Sequence, residues 1–196
     1  MNPLFDYIVK PNGDRYNNSK KVGDKELILN TEIFNHQYVN REAIVTSIPV
    51  YNPNKLMVGD IVLLHHNVFR RWHNVKGVEK NSRGFLKEGE HLVQQDQVFM
   101  YKRNGEWFCL PGYTFLKPLK SKDKFSVNNE VPLVGVVKYS DGSFLPTQLV
   151  GFSPGDEYEF VVDGERLYRV MNKYINIEYE YKGNEEEYNP SWAQSG

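Results

Sequence analysis

Side chains able to do chemistry are few in this chain and poorly grouped, apart from one basic, aromatic insertion. Between about Val68 and Glu90 lie Arg70, Arg71, Trp72, His73, Lys76, Lys80, Arg83 and Lys87. Cations at this density can neutralise phosphates, and Trp72 offers a face on which a base can stack. A solvated hairpin carries the same charges without any ligand, so both readings stand. His65 and His66 are adjacent, and on a strand they would face opposite sides and could not jointly hold a metal ion. His66, His73 and His91 could converge in space, but no paired cysteine or acidic spacing accompanies them, and no metal site is expected. Cys109 is the one cysteine, set in the apolar run Trp107-Phe108-Cys109-Leu110, where an inert core thiol is expected rather than a nucleophile. The carboxylates of Asp156-Glu157 and Asp163-Gly164-Glu165 sit at turns and strand edges with no evident partner for acid–base work. Gly13-Asp14-Arg15 lacks the Gly-Lys-Ser/Thr ending of a phosphate-binding loop. The chain is therefore expected not to be an enzyme and to need no cofactor.

A second candidate is apolar. The stretch from Asn12 to Asn40 is polar and rich in Lys and Asn, yet it carries the triplet Leu27-Ile28-Leu29. Loops this long inside a compact domain are usually functional or disordered. The triplet either waits to dock on another molecule or forms a short buried strand, Glu26 to Phe34, against its own core.

The elements that must position these groups read as strands. Aromatic residues make up 14% of the chain and Val and Ile dominate the apolar runs, which suits a pleated, half-buried surface. Period-two alternation runs through Tyr158-Glu159-Phe160-Val161-Val162 and Ile175-Asn176-Ile177-Glu178-Tyr179-Glu180-Tyr181. Asn12-Gly13, Asn104-Gly105, Asp141-Gly142 and Asp163-Gly164 mark turns. No window carries a helical stripe free of Gly and Pro, so an all-β fold with at most a helical turn is expected. A pattern also occurs twice. The first copy runs Tyr7-Ile8-Val9-Lys10-Pro11, Ala43-Ile44-Val45-Thr46, Val58-Gly59-Asp60-Ile61-Val62-Leu63-Leu64 and Gln97-Val98-Phe99-Met100-Tyr101. The second runs Phe115-Leu116-Lys117-Pro118, Val134-Gly135-Val136-Val137, Pro154-Gly155-Asp156-Glu157-Tyr158-Glu159-Phe160 and Tyr174-Ile175-Asn176-Ile177. Such an echo predicts two small β-barrels in tandem, residues 1–113 and 114–184, followed by an acidic and polar tail, 185–196. The tail is expected to fray, or to dock on a neighbour through Trp192.

Composition narrows the function classes. At 196 residues there is room for two small domains. A net charge of -1 exerts no global pull on nucleic acid or an anionic membrane, so any such binding must come from a local patch. A single cysteine fits a reducing compartment, and neither a leader-like start nor a long apolar run is evident. A cytoplasmic protein is expected.

The first half resembles the GroES family of co-chaperonins, the subunits that cap a chaperonin cage. Tyr7-Ile8-Val9-Lys10-Pro11 looks like the family's opening strand, and Leu27-Ile28-Leu29-Asn30-Thr31 occupies the place of its loop triplet. Arg41-Glu42-Ala43-Ile44-Val45-Thr46-Ser47 is similar to its Gly-Glu-Val strand, and Val58-Gly59-Asp60-Ile61-Val62 matches its Val-Gly-Asp-x-Val signature. Val93-Gln94-Gln95-Asp96-Gln97-Val98-Phe99-Met100 resembles the closing strand, and the second half repeats the set more faintly. The resemblance implies two GroES-like barrels in tandem and a mobile loop at 12–40 with Leu27, Ile28 and Leu29 entering a chaperonin groove in the presence of nucleotide. It also implies a homo-oligomeric ring, a heptamer being the candidate size. Arg70, Arg71, Trp72 and His73, in a basic hairpin at 68–90, would then make roof or subunit contacts. Three departures stand out: a bulkier basic insertion, a triplet that follows Lys25-Glu26 instead of flexible glycines, and the tandem arrangement itself. The mixture suggests a divergent, virus-encoded relative working in the host cytoplasm. A viral decoration or connector subunit on the same barrels is the alternative, and a single-stranded nucleic-acid-binding barrel a second.

Overall fold

The computed structural model describes residues 3–16, 19–22, 25–28, 38–122, 129–180 and 185–193, with the backbone alone for 19–22 and 25–28. The chain divides into two compact units, Met1–Trp107 and Phe108–Gly196. Among the described residues the helical elements are short 3-10 turns, including His66–Val68, Gln95–Gln97 and Asn172–Tyr174. The all-β expectation holds. The strands form antiparallel sheets, and no described pairing closes either main sheet into a barrel.

The first unit contributes β1 (Tyr7–Pro11), β2 (Ser19–Val22), β3 (Lys25–Ile28), β4 (Glu42–Ser47), β5 (Ile61–Leu64) and β6 (Arg71–His73). It continues with β7 (Glu79–Asn81), β8 (Phe85–Lys87), β9 (Glu90–Val93), β10 (Val98–Arg103) and β11 (Glu106–Cys109), in which the boundary between the units falls. Seven of these pair in the order β11-β10-β5-β4-β1-β9-β8, while β2-β3 and β6-β7 are separate two-stranded sheets. The second unit contributes β12 (Tyr113–Lys120), β13 (Glu130–Ser140), β14 (Leu149–Phe152), β15 (Tyr158–Val162), β16 (Glu165–Met171) and β17 (Ile175–Tyr179), paired as β15-β16-β12-β13-β14-β17.

The two orders correspond strand for strand: β10-β5-β4-β1-β9-β8 in one unit is β17-β14-β13-β12-β16-β15 in the other. The register corresponds as well. Val9, Lys10 and Pro11 face Val45, Ile44 and Ala43, as Leu116, Lys117 and Pro118 face Val137, Val136 and Gly135. A bulge follows Ile8 in the first ladder and Phe115 in the second, and each closing ladder carries another, at Val98/Met100 and at Gly151/Phe152. The same positions are buried in both units: Val9 and Leu116, Val45 and Val137, Val62 and Val150, Leu64 and Phe152, Val93 and Val170. Alternation explains which residues face inward. In β15, Phe160 and Val162 are buried while Glu159 and Val161 are exposed.

One part of the expected repeat is wrong. Gly155-Asp156 is not the counterpart of Gly59-Asp60, because it leads into β15, which occupies the place of β8. The counterpart is Thr147-Gln148. Gly59 N–H donates to Val45 O and Val45 N–H to Asp60 O, both at 2.9 Å, and Thr147 N–H to Val137 O and Val137 N–H to Gln148 O repeat this at 2.9 Å. Asp60 Oδ2 accepts the Met57 N–H at 2.7 Å, and Gln148 Oε1 accepts the Leu145 N–H at 2.7 Å. Gly59 has φ 95° and Thr147 φ 71°, so the turn needs a left-handed residue in both places although only one of them is glycine. A glutamine amide can replace the carboxylate because the turn requires one side-chain acceptor and no charge.

The tail also differs from expectation. Residues 185–193 do not fray but dock on their own unit. Leu119 bridges to Glu187, Lys120 N–H donates to Glu186 O at 2.7 Å, and Tyr188 N–H donates to Pro118 O at 2.8 Å. Asn189 Oδ1 accepts the Arg166 N–H at 3.1 Å, its amide donates to Gly164 O at 3.0 Å, and Ala193 is buried. Lys117–Glu187 and Lys120–Glu186 ion pairs at 2.7 and 2.8 Å show why the tail is acidic. Trp192 is exposed, with the Arg166 guanidinium 6.0 Å from its ring.

Candidate functional site

The two insertions of the first unit start from the same neighbourhood. The first leaves β1 through Asn12 and returns to β4 through a narrow polar neck. Asn12 N–H donates to Glu42 O at 3.0 Å, and Asn40 N–H donates to Arg15 O at 3.1 Å. Buried Asn40 ties the neck together: its amide donates to Asn12 O and Asp14 O at 2.9 and 2.8 Å, and its Oδ1 accepts the Glu42 N–H at 2.9 Å. Tyr16 bridges to Val39, and both are buried. Beyond the neck, β2 and β3 pair with each other and, among the described residues, with neither main sheet. Leu27 and Ile28 lie on β3, opposite Lys20 and Ser19. Their side chains, and all of Leu29, lie outside the described residues, as does most of the expected loop beyond Ile28.

The second insertion folds back as the β6–β7 hairpin and bounds a cleft of about 970 Å³. Its walls include Arg70, Trp72, His73 and Arg83, with the amides of Asn67 and Gln94, and Asp6 is the one carboxylate among them. Three of the four residues expected to act together, Arg70, Trp72 and His73, thus share a wall. Arg71 does not. Its Nη1 pairs with Glu79 Oε1 at 3.2 Å, and its guanidinium lies 4.9 Å from the Tyr16 ring. Arg70 forms no ion pair with the described residues, and the Nε atoms of Arg70 and Arg71 are both buried with no hydrogen-bond partner among them. Arg83 is exposed and forms no ion pair with the described residues, and Trp72 is 38% exposed.

The cleft is held by residues that the sequence did not single out. Arg15, in the neck, donates from Nε to Phe69 O at 2.6 Å, from Nη2 to Arg70 O at 3.3 Å and from Nη1 to Asn81 Oδ1 at 2.7 Å. Burial, and then the neighbouring Arg71, push the Arg15 guanidinium below its usual value. Tyr16 Oη accepts the Arg71 N–H at 2.7 Å. Ser82 is buried with its hydroxyl on Val68 O. At Gly84 a Cβ would meet Leu92 O at 2.1 Å, so β9 approaches too closely there for any side chain. No pattern in the sequence marks Arg15 as the strut between the insertions, because its partners are backbone carbonyls far along the chain.

The histidines do not assemble. His65 is not on a strand but precedes the turn His66–Val68. Instead of facing opposite sides, the two rings stack at 4.3 Å. His65 Nδ1 accepts the Asn67 N–H at 3.2 Å. His73 lines the cleft, while His91 is buried with Phe69 at 4.8 Å and Phe85 at 5.4 Å, both edge-on. Neither ring nitrogen of His91 has a hydrogen-bond partner among the described residues. Burial, and then Arg15, lower its pKa to about 4. Cys109 is half-buried on β11, and burial pushes its thiol well up, away from the reactive thiolate. Among the described residues no group of His, Cys, Asp and Glu is placed to hold a metal ion.

No family model, curated protein or solved structure matches the chain.

Proposed function

We infer that this chain is a co-chaperonin lid built from two GroES-like β-barrel modules in tandem, capping a chaperonin ring through the arm between β1 and β4. The observation that carries the reading is the asymmetry of two otherwise matching sheets. The first unit sends out a necked arm whose β2–β3 hairpin pairs only with itself, whereas the second has only residues 121–129 between β12 and β13. Each of Leu27, Ile28 and Leu29 buried in a partner groove contributes about 1.5–3 kcal/mol. Ordering the arm takes back about 2–5 kcal/mol, so one arm binds weakly. Several arms on one ring raise avidity by about 10²–10⁴ while still letting go, which a cycling lid needs. ATP hydrolysis belongs to the partner, and this chain is not an enzyme. Self-association is supported by an exposed apolar patch in the first unit. Val50 and Tyr51 N–H groups donate to Pro3 O and Leu4 O at 3.0 and 3.1 Å, placing exposed Leu4 and Phe5 beside exposed Val50 and Tyr51.

The test combines native mass with binding to a GroEL-type chaperonin, with and without ATP, for the wild type and for Leu27→Ser/Ile28→Ser/Leu29→Ser. Nucleotide-dependent binding that the triple variant loses at an unchanged melting temperature supports the lid. A melting temperature that falls by several degrees places the triplet in the protein's own core. A monomer that ignores chaperonin in both conditions ends the proposal.

A further inference from the structure

We propose that the cleft under the β6–β7 hairpin binds nucleobase-and-phosphate ligands, with single-stranded nucleic acid as its main occupant. No described residue of the arm lines this cleft, which stands whether or not the arm engages a chaperonin. The first reason is Arg70. Its side chain lines the cleft and forms no ion pair with the described residues, so a phosphate oxygen there would give its guanidinium a charge-assisted partner. Arg83 lines the same cleft and has no acidic partner among the described residues, so two arginines face a single carboxylate, Asp6. The second reason is Trp72. A partly exposed indole in a cationic cleft offers a stacking face that accepts any base. Asn67 adds an amide that can meet a base edge with both a donor and an acceptor.

The size of the cleft admits a nucleotide unit of a strand, and its walls are rigid. At about 970 Å³ the cleft stands at the upper end of the roughly 300–1,000 Å³ spanned by small-molecule pockets. The walls are set in advance, since Arg15 holds the carbonyls of Phe69 and Arg70 and the side chain of Asn81 from behind. Arg71 is committed to Glu79 and Tyr16, so the phosphate contacts fall to Arg70 and Arg83. Two neutralised phosphates give a slope of log K against log salt of about -1.4 on a single strand.

The experiment is fluorescence anisotropy of the full chain with a labelled mixed-sequence 12-mer, as single-stranded DNA, as RNA and as duplex, from low to physiological salt. Unlabelled nucleoside monophosphates and inorganic phosphate serve as competitors. Binding of the single strands over the duplex is expected, with Trp72→Leu weakening it about tenfold. Arg83→Gln should reduce the salt slope by about 0.7. Arg83 is exposed, so this variant folds even if Arg70→Gln does not. Monophosphates that fully displace the strand would narrow the site to one nucleotide, and failure to displace it would confirm a strand groove. The proposal falls if neither strand binds at low salt, if the duplex binds best, or if Trp72→Leu and Arg83→Gln leave affinity and slope unchanged.

Discussion

Acid should weaken the first unit through one residue, His91. Its imidazole is 1% exposed, lies against the edges of Phe69 and Phe85, and offers both nitrogens to nothing. Protonation would place a cation in that setting with the Arg15 guanidinium nearby, which is why burial first and Arg15 second lower its pKa from 6.5 to about 4. The folded state therefore binds this proton less readily than the unfolded chain. The stability that neutral His91 permits is fully present above about pH 6.5 and drains away as pH falls from there to about 4. At about 1.36 kcal/mol per pKa unit the full loss is about 3 kcal/mol, or about 2 kcal/mol after allowing for screening. Urea melts of the wild type and of His91→Leu at intervals from pH 7.5 to 4.5 isolate the effect, since acid titration of the carboxylates is common to both. The wild type should lose about 2 kcal/mol more than the variant across that range. Equal losses would refute the reasoning, and a steeper loss in His91→Leu would reverse it.

Two further perturbations test the second unit and the repeat. Burial would lower the Arg166 pKa, but hydrogen bonds to Glu130 and Glu159 more than reverse this and hold it above its usual value. Its Nη1 meets Glu130 Oε2 at 2.7 Å, its Nε meets Glu159 Oε2 at 2.7 Å, and Tyr168 Oη donates to Glu130 Oε1 at 2.8 Å. Arg166→Leu strands the nearly buried Glu130 and should cost about 3–5 kcal/mol in urea unfolding, whereas Glu130→Gln/Arg166→Leu together should recover part of it. At the paired turns, Gly59→Ala should cost about 1–2 kcal/mol, because alanine resists a left-handed φ. Thr147→Asn should instead stabilise by up to about 1 kcal/mol, since a β-branched residue is strained there and its side chain is exposed. A Gly59→Ala variant that melts no lower than wild type, or a Thr147→Asn variant that melts lower, would contradict the equivalence of Gly59 and Thr147.

The strands were legible in the sequence because their signals are local. Val, Ile and aromatic runs with period-two alternation mark β1, β4, β5, β10, β15 and β17, and the Lys-Pro pairs of β1 and β12 fall in the same register. The Gly-Asp pairing misled because a turn keeps its hydrogen bonds while its residues change. Gln148 supplies the acceptor of Asp60, and Thr147 carries the left-handed φ of Gly59. The grouping of Arg70, Trp72 and His73 followed from closeness along the chain, whereas Arg71 is drawn off by Glu79 and the Tyr16 ring. The struts were illegible. Arg15 meets Phe69 O and Arg70 O across more than fifty positions, and no residue pattern encodes a bond to a distant carbonyl.

The repeat also explains where function can be sought. Two sheets that agree in order, register and bulges differ in the two connections that are long in the first unit and short in the second, β1 to β4 and β5 to β8. Those two connections are not independent. Arg15 and Tyr16 belong to the neck of the first, and they bind Phe69, Arg70, Arg71 and Asn81 of the second. The arm and the cleft therefore share one anchor, and no such anchor is needed where both connections are short. A sheet that must be conserved to fold leaves its loops free to diverge. Two loops enlarged in the same unit and fastened to each other by a half-buried arginine point to one working end. An insertion that merely filled space would have no need of Arg15.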